Sequence, residues 1–460
     1  MMITKAFVFP FLIFFDIVAS YQINFYDKTW FKKSWQHFPV RQIPEYESKT
    51  ELLEIQSILE KKPPLIFVEE ADKLQHDLIE TSKGNAFVVI AGNCVETFDD
   101  FRVEDMKDFS KLMFQIGLRI SKETGKKAVK IGRIAGQYAK PRSNAFEDDE
   151  KQIPSYRGDI IHSFDKRYRT PDPKRLLDAY HHSVSSLNLL RAFSKGGLAS
   201  LERVEQWKIN SISSEIQDIF LKDIQTHLKL LRGLSLNPSK SFILQETNLY
   251  TAHECLHLPY EESLTRFDSQ SFRPFSCSSH FLWIGERTRH YNEAHIEFIR
   301  GIHNPIGLKV SSQYEKEELL KTIQKVNPYN FMGRVTLMTR FGADKINELS
   351  NLIQLIQEHR LNVVWICDPM HGNTKEKDGF KVRYIEDIQY EIQQFFNIHY
   401  SLGTIPGGIH LEATPSNVSE ILDTKQDSII PEKYTTKCDP RLNGTQILSL
   451  VEYTMSFIKH

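Results

Sequence analysis

The amino-acid sequence predicts an α/β fold in which eight parallel strands close into a (β/α)8 barrel. Eight short runs rich in valine and isoleucine are almost continuously apolar, as strands buried on both faces should be. Helix-like segments such as "EKEELLKTIQKV" and "KINELSNLIQLIQEH" separate several of these runs. Side chains that bind metals or anions follow nearly every run, which would place them on one rim of a barrel. An open doubly wound sheet gives similar signals and is the alternative fold.

The first 28 residues form a leader whose status the sequence leaves open. The stretch "TKAFVFPFLIFFDIVAS" has one lysine and an apolar run that ends before Asp16, a pattern that resembles a weak signal peptide. The run is too short to span a bilayer. A cleaved secretion signal and an apolar leader ahead of a soluble enzyme are the two alternatives.

The composition favours a cytoplasmic protein. The chain has 460 residues, with 58 Lys and Arg against 59 Asp and Glu. This balance gives no argument for nucleic acid or an anionic membrane as a partner. The five cysteines are odd in number and no pair shows CxxC spacing, so we predict a reducing compartment rather than a disulfide framework.

Residues 29–460 are predicted to form a single catalytic domain that begins with an extension, 29–83. The interval between the second and third strands is too long for an ordinary crossover, and it holds two amphipathic helix patterns. We therefore predict a helical insertion at about 144–240, able to cover the site or to form a subunit contact. The predicted strands are 86–92, 128–132, 241–245, 281–285, 306–310, 334–338, 362–366 and 407–411.

The ends of these strands carry two kinds of side chain. One kind suits a divalent cation, because cysteine, histidine and carboxylate ligands follow different strands: Cys94, Asp368, His371, Glu412 and Asp439. The other kind is basic and suits two anionic groups: Arg133, Lys140, Arg142, Arg287, Lys309 and Arg340. Taken singly, each residue has a simpler explanation as core packing, a loop cap or a surface charge. Taken together, they predict a metal-dependent enzyme that acts on phosphorylated small molecules.

Several of these stretches resemble the motifs of one family. The segments "GRIAGQYAKPRS", "WIGERTR" and "CDPMHGNT" are long, specific and in the right order, and "GNCVETF", "GGIHLEAT" and "CDPRLN" accompany them. They resemble the type II, plant-like 3-deoxy-D-arabino-heptulosonate 7-phosphate (DAHP) synthases. The resemblance implies a (β/α)8 TIM barrel that condenses phosphoenolpyruvate with erythrose 4-phosphate and releases phosphate, the first step of the shikimate pathway to aromatic amino acids.

The resemblance also implies roles for individual residues. A divalent metal, Mn²⁺ first and Co²⁺, Mg²⁺ or Zn²⁺ as alternatives, is expected at Cys94, His371, Glu412 and Asp439. Phosphoenolpyruvate is expected among Arg133, Glu286, Arg287, Lys309 and Arg340. The aldose phosphate is expected at Lys140, Pro141, Arg142 and Ser143, with Lys381 as a further candidate. The expected catalytic residues are Lys309, Glu286 and His371.

Some positions depart from the family pattern and keep alternatives open. Asn93 stands where the family has Asp, and "FGADK" follows Arg340 where the family has Met-Gly-Asn-His-Lys. A divergent homologue with another aldose acceptor is one alternative, and a non-catalytic regulatory homologue is the other. The resemblance further implies a homodimer or larger homo-oligomer and, as a partner enzyme, chorismate mutase.

Overall fold

The computed structural model describes residues 29–99, 101–148, 152–195, 197–234 and 245–459. The α-helices of this part of the chain are α1 (Lys49–Glu60), α2 (Val68–Ser82), α3 (Val103–Thr124), α4 (Arg175–Lys195), α5 (Ser214–Gly233), α6 (Leu258–Ser263), α7 (Ala294–Gly301), α8 (Lys316–Val326), α9 (Leu349–Glu358), α10 (Ile385–Ser401) and α11 (Gly444–Met455). Short 3-10 helices span Ser34–His37, Leu201–Trp207, Glu286–Thr288, Ile346–Glu348 and Pro431–Lys433.

Eight parallel strands form a closed barrel. In chain order they are β1 (Ala86–Gly92), β2 (Lys127–Arg133), β5 (Tyr250–Glu254), β8 (Phe281–Ile284), β9 (Ile306–Val310), β10 (Val335–Thr339), β11 (Val364–Cys367) and β14 (Gly408–Glu412), and β14 pairs with β1 to close the ring. Short strands lie outside the barrel: β3 (Phe146–Asp148), β4 (Ile153–Pro154), β6 (Thr265–Phe267), β7 (Pro274–Ser276), β12 (Lys375–Lys377), β13 (Phe380–Tyr384) and β15 (Ile421–Leu422). The predicted (β/α)8 fold is confirmed.

The barrel strands are apolar on both faces because each face meets a different buried layer. Every residue of β1 is buried. Val88 and Ile90 belong to the cluster inside the barrel, whereas Phe87 and Val89 belong to the larger cluster between the barrel and its helices. The side-chain period of two sends alternate residues to these two layers.

Helix α2 of the N-terminal extension closes the end of the barrel where the strands begin. Leu74 and Leu78 belong to the same cluster as the barrel interior. On the same helix, Asp77 accepts a hydrogen bond of 3.0 Å from the hydroxyl of Tyr250, the first residue of β5. The opposite end of the barrel therefore remains as the open face. Helices α4 and α5 lie between β2 and β5 in the chain.

The strand register brings distant residues together at the open rim. Gly92 pairs with Arg133 on one side and with Glu412 on the other. On the far side of the barrel, Thr339 pairs with Cys367, so Arg340 and Asp368, the residues that follow these two, are also neighbours.

The third predicted strand is wrong. The position between β2 and β8 belongs to β5, Tyr250–Glu254, and not to 241–245. Of the predicted stretch, residues 241–244 lie outside the described residues. The other seven predicted strands agree with the barrel strands to within two residues at each end. None of the helices in the described ranges is long and apolar enough to cross a membrane, and the leader lies outside those ranges.

Candidate active site

An open cavity of about 560 Å³ lies at the carboxyl ends of the barrel strands. Eight Lys and Arg side chains line it, against four carboxylates, so the cavity suits anionic ligands. His371 and Asp439, two of the predicted metal ligands, also line it. All ten predicted substrate-binding residues line the cavity: Arg133, Lys140, Pro141, Arg142, Ser143, Glu286, Arg287, Lys309, Arg340 and Lys381.

The carboxylate of Glu412 is the buried centre of this site. Its Oε1 accepts hydrogen bonds from Arg133 at 3.0 Å and Lys140 at 3.1 Å, and its Oε2 accepts one from Arg383 at 2.7 Å. His371 Nε2 lies 3.1 Å from Oε1. Burial alone would raise the pKa of Glu412, but the nearby positive charges hold that pKa well below its ordinary value. Glu412 is therefore a permanent carboxylate.

Three of the four predicted metal ligands meet around this carboxylate. One ligand atom each from His371, Glu412 and Asp439 lies within 4.8 Å of the others. Lys140 Nζ lies 2.9 Å from Asp439 as well as near Glu412, and Lys381 donates to the other Asp439 oxygen at 2.8 Å. An imidazole and two carboxylates are donors that a divalent cation accepts, so these residues fit such an ion.

Cys94, the fourth predicted ligand, lies beside this group. Its sulfur accepts a hydrogen bond of 3.4 Å from the backbone N–H of Asp439. Its pKa is lowered to about 6, first by the hydrogen bond from Cys438 and further by the charge on Lys140, which outweigh burial. The thiolate is the form of cysteine that binds metals, so the side chain is poised as a ligand.

A second buried network occupies the floor of the cavity. Lys309 Nζ contacts the carboxylate of Asp368 and lies 2.9 Å from His410 Nδ1. Arg133, which is always a donor, lies 2.6 Å from His410 Nε2. Both ring nitrogens of His410 therefore face cationic donors, and Asp368 Oδ2 lies 3.2 Å from Nδ1. Burial lowers the pKa of Lys309 to about 8, although Asp368 opposes this shift.

Glu286 is held on both of its carboxylate oxygens. Arg289 donates to Oε1 at 2.8 Å, and the backbone N–H of Ser311 donates to Oε2 at 2.8 Å. The next residue, Arg287, is exposed and donates to the hydroxyl of Ser143 at 2.6 Å. This contact joins the arginine expected at phosphoenolpyruvate to the loop expected at the aldose phosphate.

The loop that carries Lys140 to Ser143 is fixed at two points. Glu96 accepts hydrogen bonds of 2.7 to 3.0 Å from the backbone N–H groups of residues 135–137, which supports the left-handed backbone of Ala135 (φ 64°). Gln42 of the extension bonds both the N–H and the carbonyl of Arg142, at 3.0 and 3.2 Å. The loop is thus anchored before a ligand arrives.

Comparison with known proteins gives the family. Residues 30–454 match the Class-II DAHP synthetase family. The chain belongs to this family. It is 39% identical over 429 residues to a phospho-2-dehydro-3-deoxyheptonate aldolase of Streptomyces coelicolor, covering 91% of this chain and 95% of the relative. A phospho-2-dehydro-3-deoxyheptonate aldolase of Neurospora crassa is 37% identical over 448 residues, covering 92% of each chain.

A solved structure of phospho-2-dehydro-3-deoxyheptonate aldolase from Francisella tularensis overlaps 90% of this chain and 98% of its own, with a TM-score of 0.48 and 13% identity. The family and enzyme class predicted from the motifs are confirmed by the family match and by the two relatives. The class-II DAHP synthases catalyse the first step of the shikimate pathway. The roles assigned to individual residues stay predictions.

Three residues of the site were not predicted from the sequence: Glu254, Arg383 and His410. Glu254 ends β5, lines the cavity and has no hydrogen-bond partner for Oε1 among the described residues. It was missed because the third strand was misplaced. Arg383 lies in "GFKVR", two residues after Lys381, and a buried arginine there could have been suspected only from its partner Glu412. His410 lies inside "GGIHLEAT", and its signal was that it is the one polar residue of the predicted strand 407–411.

Proposed function

We propose that this chain condenses phosphoenolpyruvate, erythrose 4-phosphate and water into DAHP and inorganic phosphate. The observation that carries the proposal is the cavity itself: eight basic side chains surround a space that adjoins the His371, Glu412 and Asp439 group. Two phosphorylated substrates bring two phosphates and one carboxylate to the site, and this lining can offset their charge.

We assign phosphoenolpyruvate to the inner part of the cavity and the aldose phosphate to the outer part. Arg133 and Lys309 are buried and lie on opposite sides of His410, where they can hold a carboxylate or phosphate away from water. Arg142 and Arg287 lie farther out, and Arg287 reaches Ser143. This division places the aldehyde end of the sugar toward the predicted metal ligands.

The metal would be held by Cys94, His371, Glu412 and Asp439, with Mn²⁺ as the preferred ion. When bound, it supplies Lewis acidity that polarises the aldehyde carbonyl. Lys140 lies between two of these carboxylates, at 3.1 and 2.9 Å, and balances their charge. Asp368 accepts from His371 Nδ1 at 2.8 Å and thereby fixes the ring orientation.

Water must add to C2 of phosphoenolpyruvate as C3 bonds to the aldehyde carbon. The water then loses both protons, one to the aldehyde oxygen and the other to the departing phosphate, as the C2–O bond to phosphate breaks. Glu254 is placed to accept a proton from the water because its Oε1 is not engaged in a hydrogen bond within the described structure. Glu286 has both oxygens engaged, so orienting the substrate suits it better than proton transfer.

Phosphate release tests this function. The protein, loaded with Mn²⁺, is assayed with phosphoenolpyruvate in the presence and absence of erythrose 4-phosphate. We expect release that requires the aldose and disappears in Cys94→Ala. Cys277→Ala is the matched control, because Cys277 is equally buried but lies in a different cluster. No release from folded wild-type protein with any of the four metals would refute the proposal.

Four expectations are not tested by this assay. A panel of phosphorylated and free aldoses tests the alternative acceptor. Size-exclusion chromatography with light scattering tests the predicted homo-oligomer, and the same measurement with added chorismate mutase tests that partner. Cytoplasmic location stays a prediction, which fractionation of cells expressing the full chain addresses.

A further inference from the structure

Glu391 is a fully buried carboxylate that the proposed chemistry does not use. It lies on α10, outside the barrel strands, and is not one of the residues that line the cavity. Its Oε1 accepts hydrogen bonds from the backbone N–H groups of Phe341 and Gly342, at 3.0 and 2.9 Å. Its Oε2 accepts one from Asn373 Nδ2 at 2.7 Å. None of the described Lys or Arg side chains pairs with it.

These three bonds join two loops of the open rim. Phe341 and Gly342 follow β10, and Asn373 belongs to the loop after β11. Asn373 strengthens the link because its Oδ1 accepts from the backbone N–H of Ala343 at 2.8 Å. Its Nδ2 also donates to the carbonyl of Pro369 at 2.9 Å.

The two loops touch closely where Glu391 holds them. A Cβ built on Gly342 would lie 2.7 Å from the carbonyl oxygen of Gly372, and one on Gly372 would lie 2.7 Å from Gly342 Cα. The positive φ of Gly342 (80°) adds a backbone reason for glycine there. Each loop carries one site residue next to this contact: Arg340 precedes Phe341, and His371 precedes Gly372. Arg340 also donates to the carbonyl of His371 at 3.0 Å.

We propose that Glu391 is a positioning residue, which sets Arg340 and His371 in register by bonding the loops that carry them. This inference rests on the proposed function, because it assigns phosphoenolpyruvate to Arg340 and the metal to His371. Glu391 acts at one remove from the substrate, through two carboxyl oxygens that accept from two backbone N–H groups and from the amide of Asn373. Burial raises the pKa of this carboxyl group to about 8, although the three N–H donors oppose the shift.

The bonding pattern also explains how the loop after β10 tolerates an unusual sequence. The run "FGADK" departs from the family pattern, but Glu391 and Asn373 bind backbone N–H groups of residues 341–343. Backbone donors do not depend on the side chains at those positions. These bonds therefore do not require the side chains of the family pattern.

The test exchanges donor and acceptor in the hydrogen bond between residues 391 and 373. In Glu391→Gln, the side-chain oxygen still accepts from Phe341 and Gly342, but the new NH₂ group faces the NH₂ of Asn373. In the double variant Glu391→Gln/Asn373→Asp, the NH₂ of Gln faces a carboxylate, so the link between the loops returns with donor and acceptor exchanged, while the bond to the Pro369 carbonyl is lost. Glu386→Gln is the control, because Glu386 is exposed on the same helix.

We expect Glu391→Gln to lower kcat/KM for phosphoenolpyruvate by about tenfold or more, with a larger rise in the KM for phosphoenolpyruvate than in that for erythrose 4-phosphate. The double variant should regain part of this loss, and Glu386→Gln should match the wild type. Wild-type kinetics for Glu391→Gln would overturn the proposal. So would a loss in the double variant equal to the sum of the losses in Glu391→Gln and Asn373→Asp alone, because the two residues would then not be coupled. A lower melting temperature with unchanged KM values would likewise show that Glu391 only stabilises the fold.

Binding measurements separate this inference from the proposed function. Calorimetric titration with phosphoenolpyruvate in the presence of Mn²⁺ gives a Kd that does not depend on turnover. Wild-type protein that binds phosphoenolpyruvate without turnover would refute the proposed function, whereas weaker binding by Glu391→Gln would still support the positioning role. Unchanged binding would overturn it. If Glu391→Gln does not fold, Asn373→Ser removes the bond to Glu391, together with the bonds of Asn373 to Pro369 and Ala343, and leaves Glu391 with its two backbone donors. The same kinetic and binding outcomes then decide.

Discussion

Replacing Gly285 with alanine should displace the carboxylate of Glu254 without disturbing the backbone. Gly285 has φ −70° and ψ 161°, which alanine adopts without strain. The added Cβ would lie 3.1 Å from Glu254 Cδ, and Oε1 would lie nearer still, inside van der Waals contact. The carboxylate must therefore withdraw by about 1 Å to reach an ordinary separation.

A shift of that size at a group that acts on the reacting water should lower kcat about 100-fold. Overpacking a buried site should also cost about 1–3 kcal/mol of unfolding free energy. Steady-state phosphate release gives the first quantity, and urea unfolding gives the second. Gly233→Ala is the control, because Gly233 ends helix α5 and an added Cβ there meets nothing within 4 Å.

The Glu254→Gln variant shows whether the effect passes through Glu254. If it does, Gly285→Ala should cost much less in the Glu254→Gln background than alone, because the two changes remove the same function. A Gly285→Ala protein that is folded and retains kcat within about twofold would refute the assignment of Glu254 to proton transfer.

Three other perturbations test different parts of the site. Because burial lowers the pKa of Lys309 to about 8, kcat/KM for phosphoenolpyruvate should fall as pH rises through 8. Between pH 8 and the ordinary lysine pKa of 10.5, Lys309 binds a proton in the unfolded chain but not in the folded one. The free energy of unfolding should therefore rise with pH over this range, by up to about 1.4 kcal/mol per pH unit. Urea unfolding measured at several pH values should give a smaller slope for Lys309→Met than for the wild type. Chelator treatment should abolish phosphate release and Mn²⁺ should restore it, and Mn²⁺ should raise the melting temperature of the wild type but not of Cys94→Ala. Arg383→Met should lower the unfolding free energy by about 3–5 kcal/mol, because it leaves Glu412 Oε2 buried without its cationic partner; a loss below 1 kcal/mol would contradict that account.

The barrel was predictable because most of its strands are apolar on both faces, and β5 was missed because it is not. Its sequence, "YTAHE", places Thr251, His253 and Glu254 in a fully buried strand. Thr251 bonds to Ser279 and His280, and Nε2 of His253 lies 2.7 Å from Glu261. These partners lie up to 29 residues away, so local hydrophobicity cannot reveal that the polar groups are paired.

Some residues of the candidate site could be predicted from the sequence, and others could not. Cys94, His371 and Lys309 follow or end recognisable strands, so their convergence could be expected from the barrel rule alone. Glu391 and Arg383 act through partners that are distant in the chain, with Arg383 and Glu412 separated by 29 residues and Glu391 and Phe341 by 50. Their roles depend on a tertiary contact that no spacing in the sequence encodes.

The pairing of β1 with β14 has a consequence for synthesis on the ribosome. Cys94 and Asp439 are 345 residues apart in the chain, and translation adds roughly 5–20 residues per second. Tens of seconds therefore pass between the emergence of the thiol and that of its neighbouring carboxylate. During this interval β1 lacks one of its two partner strands, and the cysteine at its end is open to oxidants and to stray metal ions. Chaperone binding or a reducing environment would protect the nascent chain until β14 arrives.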